Sequence, residues 1–307
     1  MRKCFVDTVI ECAREDESVA LLMAEVGFSV VEPYEKEFPD RFFNVGIAEQ
    51  NLIMTAAGMA LKGMHPIAYS MASFLPSRAF EQIKVSVCYQ NLPVVIVSVG
   101  TGLSYGEMGS THHSIEESAL MRSIPNLNVI FPSNTVELRG ALKTALTDNK
   151  PYYISYPKAP APEVAEYPFV MGKAVKHRAG KDGYILAFGY SVNQAVSASD
   201  MLREKGLDIG VYGFHTVKPL DREAICEAAV TGNIFVMDEH NYCAGMGGEV
   251  ARVILEMGIP VKTFREFSVP DCFQNTVARY TEMLNVYRLS AAGVAEGIEA
   301  ELKGDKK

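Results

Sequence analysis

One stretch, residues 41–63 (RFFNVGIAEQNLIMTAAGMALKG), constrains the fold more than any other part of the sequence. Residues 42–45 predict a short buried strand, and Gly46 breaks the run. A helix is then predicted from about 47 to about 61, with Glu49 in its first turn. The residues that share a face with Glu49 at helical spacing are small or apolar: Leu52 or Ile53, Ala56 and Ala60. Because small side chains let another backbone approach closely, we expect this carboxylate to be covered.

The remainder of the sequence alternates strand-like and helix-like segments, which predicts an α/β fold. The run LPVVIVSVG is almost continuously apolar and β-branched, which is typical of a parallel strand covered on both faces. Four prolines fall between 157 and 168 and indicate a stiff, extended connection. We therefore predict two domains, 1–160 and 169–307, each with a largely parallel sheet flanked by helices.

The composition is that of an ordinary globular protein, with 48% hydrophobic and 21% charged residues and a formal net charge of -8. This charge argues against a nucleic-acid partner. A basic cluster is interpreted as a solvated edge: Lys173, Lys176, His177, Arg178 and Lys181. No apolar run approaches the roughly 20 residues of a membrane span, and no signal peptide is recognised, so no membrane partner and a cytoplasmic location are expected. The six cysteines are expected to be free, buried thiols.

Two side chains have competing interpretations. Glu49 is either a first-turn acid that favours the positive end of its helix, or a partly buried acid with a raised pKa that shares a proton with a ring nitrogen. His112 and His113 lie in the loop GEMGSTHHS, where neighbouring side chains point in different directions and no acid at a matching spacing supports a metal site. His112 is either a surface-loop residue or a ligand contact at the carboxyl end of a strand.

The residues around Glu49 favour the second interpretation of that side chain. NVGIAEQN followed by AAGMA resembles the signature of the pyrimidine-binding domain in the transketolase family of thiamine diphosphate enzymes. The resemblance runs from about residue 7 to the late 200s and corresponds to the carboxyl-terminal half of that family. It implies that Glu49 bonds the aminopyrimidine ring of thiamine diphosphate and acts in catalysis. GSTHH resembles the Gly-x-Thr-His loop of the family, which implies that His112 lies beside the reacting carbon and contacts substrate.

Further positions carry weaker resemblances. In SMASFLPSRAFEQIK the family has aromatic side chains that stack on the pyrimidine, which implies this role for Phe74; the register relative to Met71 is ambiguous, and core packing is the alternative. MAEVGFS resembles a segment whose acid faces the cofactor and whose serine contacts a sugar phosphate, which implies Glu25 and Ser29. SYPK stands where relatives have an arginine for the same phosphate, so Lys158 is the expected substitute.

Two departures and one missing motif limit the resemblance. Met108 stands where transketolases have an aspartate that reads the donor hydroxyls, and Gly100 stands near the position where they have a phosphate-binding histidine, so the usual sugar phosphates are in doubt. The sequence has no Gly-Asp-Gly motif followed by Asn to hold the metal of the diphosphate. No metal ligands are therefore predicted in this chain, and Mg²⁺ or Ca²⁺ is expected on a partner subunit.

The resemblance implies the carboxyl-terminal subunit of a split transketolase, which transfers a two-carbon ketol unit from a ketose or its phosphate to an aldose. An amino-terminal subunit would bind the diphosphate. This chain would also self-associate through the surface that meets that subunit, which gives a two-plus-two heterotetramer. The alternatives are a deoxyxylulose phosphate synthase-like subunit, favoured by VKPLD at 217–221, a 2-oxoacid dehydrogenase β-like subunit, and a catalytically silent module. The loop DEHNYCAGMGGE is expected to serve subunit contacts and to supply no catalytic residue.

Overall fold

The computed structural model of the protein describes residues 1–26, 30–160, 162–273 and 275–304. Its strands are β1 Val19–Met23, β2 Phe42–Asn44, β3 His65–Met71, β4 Val95–Val99, β5 Asn128–Ile130, β6 Tyr152–Tyr156, β7 Val175–Arg178, β8 Gly183–Phe188, β9 Ile209–Phe214, β10 Thr216–Lys218, β11 Asn233–Asn241 and β12 Thr263–Val269. Its helices are α1 Arg2–Glu15, α2 Glu32–Glu37, α3 Glu49–Ala60, α4 Leu75–Arg78, α5 Phe80–Gln82, α6 Glu117–Arg122, α7 Thr135–Thr147, α8 Val192–Glu204, α9 Arg222–Ala229, α10 Gly247–Glu256, α11 Tyr280–Val286 and α12 Ala291–Lys303.

Two sheets organise these elements. The first has the strand order β10-β5-β6-β4-β3-β1-β2 and is parallel apart from the β10–β5 pair. The second has the order β12-β11-β8-β9-β7 and is parallel apart from β7. Strand β4 is buried along its whole length between β3 and β6, as the apolar run predicted. Two mostly parallel sheets flanked by helices confirm the predicted fold class.

The core is shared between the two halves of the chain. One apolar cluster contains Leu22 and Ile53 from the first half together with Leu186 and Val236 from the second. Strand β10 also belongs to the second half but pairs with the first sheet. The domain extents 1–160 and 169–307 therefore remain a prediction, because packing and sheet pairing both cross that boundary.

The stretch around Glu49 folds largely as expected. Helix α3 buries the predicted face, with Glu49, Ile53 and Ala56 all on it. The prediction that 42–45 is a buried strand was wrong, because β2 pairs only with β1 at the edge of the sheet and leaves Phe43 38% exposed. This edge position leaves apolar surface open next to the start of α3.

Two smaller expectations also fail. The pattern SRAFEQIKVSVCY predicts one helix with Ser77 as its N-cap. In the structure the Ser77 hydroxyl instead donates to the backbone oxygen of Phe74 at 3.1 Å, and the segment consists of α4, α5 and a π-helical turn, Ile83–Cys88. The helix begins earlier because Pro76 is accommodated in its first turn. Cys243 and Cys272 are exposed rather than buried.

The basic cluster lies on and beside β7, an edge strand. Lys173 pairs with Glu223 at 2.7 Å, and Arg178 pairs with Asp200 at 2.9 Å. These exposed pairs fit a solvated edge. None of the helices in the described ranges is long and apolar enough to cross a membrane.

Because Ile53 is fully buried in α3, we expect Ile53→Ala to lower the free energy of unfolding by about 2–5 kcal/mol. Met54→Ala is the matched control, since Met54 lies on the exposed face of the same helix and should cost less than about 1 kcal/mol. Urea unfolding of the two variants measures both values. Equal losses would contradict the packing described for this helix.

Candidate active site

The carboxyl ends of five parallel strands meet at one edge of the first sheet. This edge is where open α/β sheets bind ligands. The segments that follow β1, β2, β3, β4 and β6 carry the residues expected from the sequence: Glu25, Glu49, Phe74, His112 and Lys158. The topology therefore gathers side chains that are far apart along the chain.

Glu49 is the first residue of α3, and only 4% of it is exposed. Its Oε1 accepts a hydrogen bond from Nη1 of Arg78 at 3.0 Å. A buried carboxylate is costly unless it is paired, and this half-exposed guanidinium supplies the pairing within the chain. The expectation that something covers Glu49 is met by Arg78.

Phe74 and His112 lie beside this ion pair. The guanidinium carbon of Arg78 is 4.2 Å from the centroid of the Phe74 ring. The rings of Phe74 and His112 meet edge to face, with centroids 5.2 Å apart and an interplanar angle of 70°. Glu49, Arg78, Phe74 and His112 thus form one contiguous set.

The two adjacent histidines have different environments. His112 is partly exposed, and its Nδ1 lies 2.9 Å from the hydroxyl oxygen of Thr111. His113 is buried, and burial lowers the pKa of its imidazole. Of the two, it is therefore His112 that faces the site.

Tyr105 lies between His112 and Lys158 at the site. Its ring lies 6.5 Å from that of His112, and the Nζ of Lys158 lies 5.0 Å from the Tyr105 centroid. Gly100 has φ +100°, and a Cβ there would lie 2.2 Å from Cε2 of Tyr105. Tyr105 therefore occupies the space that a side chain at position 100 would need. Met108, the other departure from the family pattern, is 51% exposed.

Glu25 lies at the end of β1 and is exposed. Its backbone is left-handed, with φ +45°, and its Oε2 accepts a hydrogen bond from Nδ2 of Asn44 at 2.7 Å. The Oδ1 of Asn44 in turn accepts from the backbone N–H of Gly46 at 3.0 Å. Glu25 is thereby linked to the turn that precedes Glu49. Ser29 lies outside the described residues.

Sequence reasoning did not single out Arg78 or Tyr105. A signal for Arg78 existed, because it follows Phe74 by four residues, a spacing that brings side chains together on a helix. Tyr105 carried no comparable signal, since its position depends on the path of a loop. Among the described residues, no three His, Cys, Asp or Glu side chains cluster in a way that could hold a metal ion.

A buried polar network links strand β6 of the first sheet to strand β11 of the second. The Tyr153 hydroxyl donates to Glu117, whose Oε1 is 3.7 Å from Nε2 of His240. The Nδ1 of His240 is 2.5 Å from Oδ1 of Asp238. Burial lowers the pKa of His240, but the two carboxylates outweigh it and raise the pKa to about 10. Burial also raises the pKa of Glu239 to about 7, although the Tyr280 hydroxyl donates to its carboxylate.

Two family models match the chain. Residues 1–163 match the family described as "Transketolase, pyrimidine binding domain". Residues 172–294 match the family described as "Transketolase, C-terminal domain". The chain belongs to the transketolase family.

This chain spans nearly all of some members of the family and about half of others. It is 35% identical to one subunit of the apulose-4-phosphate transketolase of Phocaeicola vulgatus, over 96% of this chain and 95% of that one. It is 34% identical to 1-deoxy-D-xylulose-5-phosphate synthase 1 of Geobacter sulfurreducens, over 97% of this chain but only 47% of the synthase. A solved structure described as a split gene transketolase, inactive beta4 tetramer, is 32% identical, with a TM-score of 0.86 and 98% of each chain covered.

The raised pKa of Glu239 predicts a pH dependence of stability. Between about pH 4.5 and 7 the folded chain keeps a proton on Glu239 that the unfolded chain has released. The stability linked to this proton is present at acid pH and is lost as the pH rises through about 7. Relative to wild type, Glu239→Gln should therefore gain about 1–3 kcal/mol of unfolding free energy between pH 4.5 and 8. Denaturant titrations at both pH values measure this, and parallel curves for the two proteins would contradict it.

Proposed function

We propose that this chain is the carboxyl-terminal subunit of a thiamine diphosphate-dependent transketolase. It would act with a separate amino-terminal subunit and transfer a two-carbon ketol unit from a ketose or ketose phosphate to an aldose. The observation that carries the proposal is the buried carboxylate of Glu49, joined through Arg78 to Phe74 and His112, at the positions of the family motifs. Similarity to a transketolase subunit over nearly the full length of both chains supports it.

The contacts of Arg78 test whether these residues fit the pyrimidine end of the cofactor. The guanidinium is flat, donates a hydrogen bond to Glu49 and lies over the Phe74 ring. A flat, donor-bearing heterocycle needs the same two contacts, an acceptor at its edge and an aromatic face. The Glu49 acceptor and the Phe74 ring therefore fit an aminopyrimidine ring.

Each side chain has a role in this proposal. Glu49 would hold a proton at a ring nitrogen of the cofactor, and Phe74 would stack on the ring, while Glu25 would face the cofactor from the end of β1. Bound thiamine diphosphate would supply the electron sink that allows a carbon–carbon bond beside a carbonyl to break. His112 would stabilise negative charge on the substrate oxygen and position the substrate.

A partner subunit is supported by apolar surface around the site. Ile47, two residues before Glu49, is 77% exposed, and Phe43 and Met108 are exposed as well. Exposed apolar side chains next to a buried carboxylate are typical of a surface that another chain covers. The split transketolase of similar structure is described as an inactive tetramer of beta chains, which supports inactivity of such a chain by itself. We propose a two-plus-two assembly through this surface.

The partner would also hold the diphosphate and its Mg²⁺ or Ca²⁺, because such a metal needs several oxygen ligands and no family motif for them occurs in this sequence. The sugar itself would be contacted by His112 and, at a phosphate or other anion, by Ser29 and Lys158. Lys158 would act as a point charge on the Tyr105 side of the site. Gly100 and Met108 supply no anion-binding side chain and no hydroxyl-reading carboxylate, so the contacts to the sugar would differ from those of the usual transketolases.

A deoxyxylulose phosphate synthase-like activity is the second candidate. It is favoured by 34% identity to such a synthase over nearly the whole of this chain. A 2-oxoacid dehydrogenase β-like subunit would share its hallmark, release of carbon dioxide from a 2-oxoacid. A catalytically silent module is the remaining alternative, and the retained pair of Glu49 and His112 argues against it.

Glu49→Gln keeps the size of the side chain but removes its acid. In the complex with the amino-terminal subunit, we expect kcat to fall by about 10²–10⁴-fold, because general acid–base groups contribute on that order. Glu81→Gln is the matched control, since Glu81 contacts only its exposed neighbour Gln82 among the described hydrogen bonds. Steady-state kinetics with thiamine diphosphate and Mg²⁺ measure both variants. Near-normal turnover of Glu49→Gln in an assembled complex would reject the role.

The product distinguishes the candidate activities. We expect the purified complex to convert ketose–aldose pairs without releasing carbon dioxide, because a ketol unit passes intact from donor to acceptor. A screen of ketoses and aldoses, run beside pyruvate and other 2-oxoacids, measures both outcomes. Carbon dioxide release from a 2-oxoacid would favour the synthase or dehydrogenase branch. A stable complex without any cofactor-dependent turnover would favour the silent module.

A further inference from the structure

The loop that carries His112 is closed at its base by backbone hydrogen bonds. The N–H of Gly102 donates to the oxygen of Ser114 at 3.0 Å, and the N–H of Ser114 donates to the oxygen of Gly102 at 2.9 Å. The segment between these two residues contains both Tyr105 and His112. Contacts that hold this base therefore constrain the position of His112, which lies two residues before Ser114.

Residues of the second sheet hold the base from below. Burial raises the pKa of the Glu239 carboxyl, on β11, and the backbone of Leu103 beside it acts in the opposite direction. Gly102 packs so tightly on Glu239 that a Cβ at Gly102 would lie 2.8 Å from Cβ and 2.9 Å from Oε2 of that residue. The backbone N–H of Asn241 donates to the oxygen of Ile115 at 2.8 Å, just beyond the other stem of the loop.

Helix α11 completes the support. The hydroxyl of Tyr280 donates to Oε1 of Glu239 at 2.5 Å. Close by, the N–H of Ala278 donates to the oxygen of Gly106 at 3.4 Å, and a Cβ at Gly106 would lie 2.6 Å from the oxygen of Ala278. Glu239 thus joins the loop base on one side to α11 on the other.

We propose that Glu239 is a positioning residue: by packing against Gly102 while bound to Tyr280, it sets the place of His112 beside Phe74. The segment beginning DEHN, expected to serve subunit contacts, would in this proposal also position the loop that carries His112. The importance of the position for turnover rests on the proposed function of His112; the structural effect does not.

The chemistry at Glu239 supports a dedicated role. Burying a carboxyl costs free energy that an apolar residue of similar size would not, so its retention calls for hydrogen bonds that only it can make. The titratable groups that interact with it electrostatically are Tyr280, which also donates its hydroxyl, Tyr190, and its strand neighbours His240 and Asp238. Burial raises its pKa to about 7, so its acceptor strength changes near neutral pH.

The first test uses hydrogen–deuterium exchange of the chain alone. We expect Glu239→Ala to speed exchange of the Gly102 and Ser114 amides by roughly tenfold or more, and Glu239→Gln to have a smaller effect because one acceptor oxygen remains. Glu227→Ala is the control, since Glu227 pairs with Lys176 and Tyr212 on the outer surface of the same half. Unchanged protection of the loop in both Glu239 variants would overturn the proposal. If Glu239→Ala fails to fold, Glu239→Gln decides.

The second test asks whether Glu239 acts through His112. In the complex with the amino-terminal subunit, Glu239→Ala should lower kcat by about tenfold and leave KM nearly unchanged. In a His112→Ala background, Glu239→Ala should cause no further loss of kcat. The same fold-loss in both backgrounds would overturn positioning through His112. Faster loop exchange together with full activity of His112→Ala would leave the positioning intact and reject the catalytic role of His112 instead.

Discussion

The ion pair between Glu49 and Arg78 is the interaction on which the rest of the site depends. It lets a carboxylate remain buried at the start of a helix whose other buried residues are apolar or small, and it places a flat cation over Phe74. Without a hydrogen-bond donor at this point, the desolvation of the buried carboxylate would destabilise the folded state, and apolar packing would not offset that cost. Within this one chain, Glu49 and Phe74 are therefore arranged around the flat guanidinium of Arg78, as we propose they would be around the pyrimidine ring of the cofactor.

The sheet explains why this arrangement forms at all. Parallel strands deliver their carboxyl ends to one edge, so five segments separated along the chain converge there. The second sheet then stabilises the loop with His112 from behind, through Glu239 and the start of α11. The carboxyl-terminal half is thus part of how the site is built, and the shared apolar cluster makes the two halves one packing unit.

The sequence was sufficient where local pattern and tertiary packing agree. The buried run of β4, the apolar face of α3 and the α/β class all follow from periodicity, and the structure confirms them. It was insufficient where tertiary partners decide. The open edge at β2 and the antiparallel partner of β5 depend on which strands pair, and Arg78 depends on a helix that starts earlier than its cap residue suggested. Tyr105 fills the space above Gly100 because of a loop path that no short-range pattern encodes.

The central claim is that a complete cofactor site forms only where this chain meets a second one. Calorimetric titration of thiamine diphosphate with Mg²⁺ into this chain, into the amino-terminal subunit and into their mixture tests it most directly. We expect saturable binding at one site per pair of chains in the mixture and no saturable binding to this chain alone. Stoichiometric binding by this chain without a partner would contradict it.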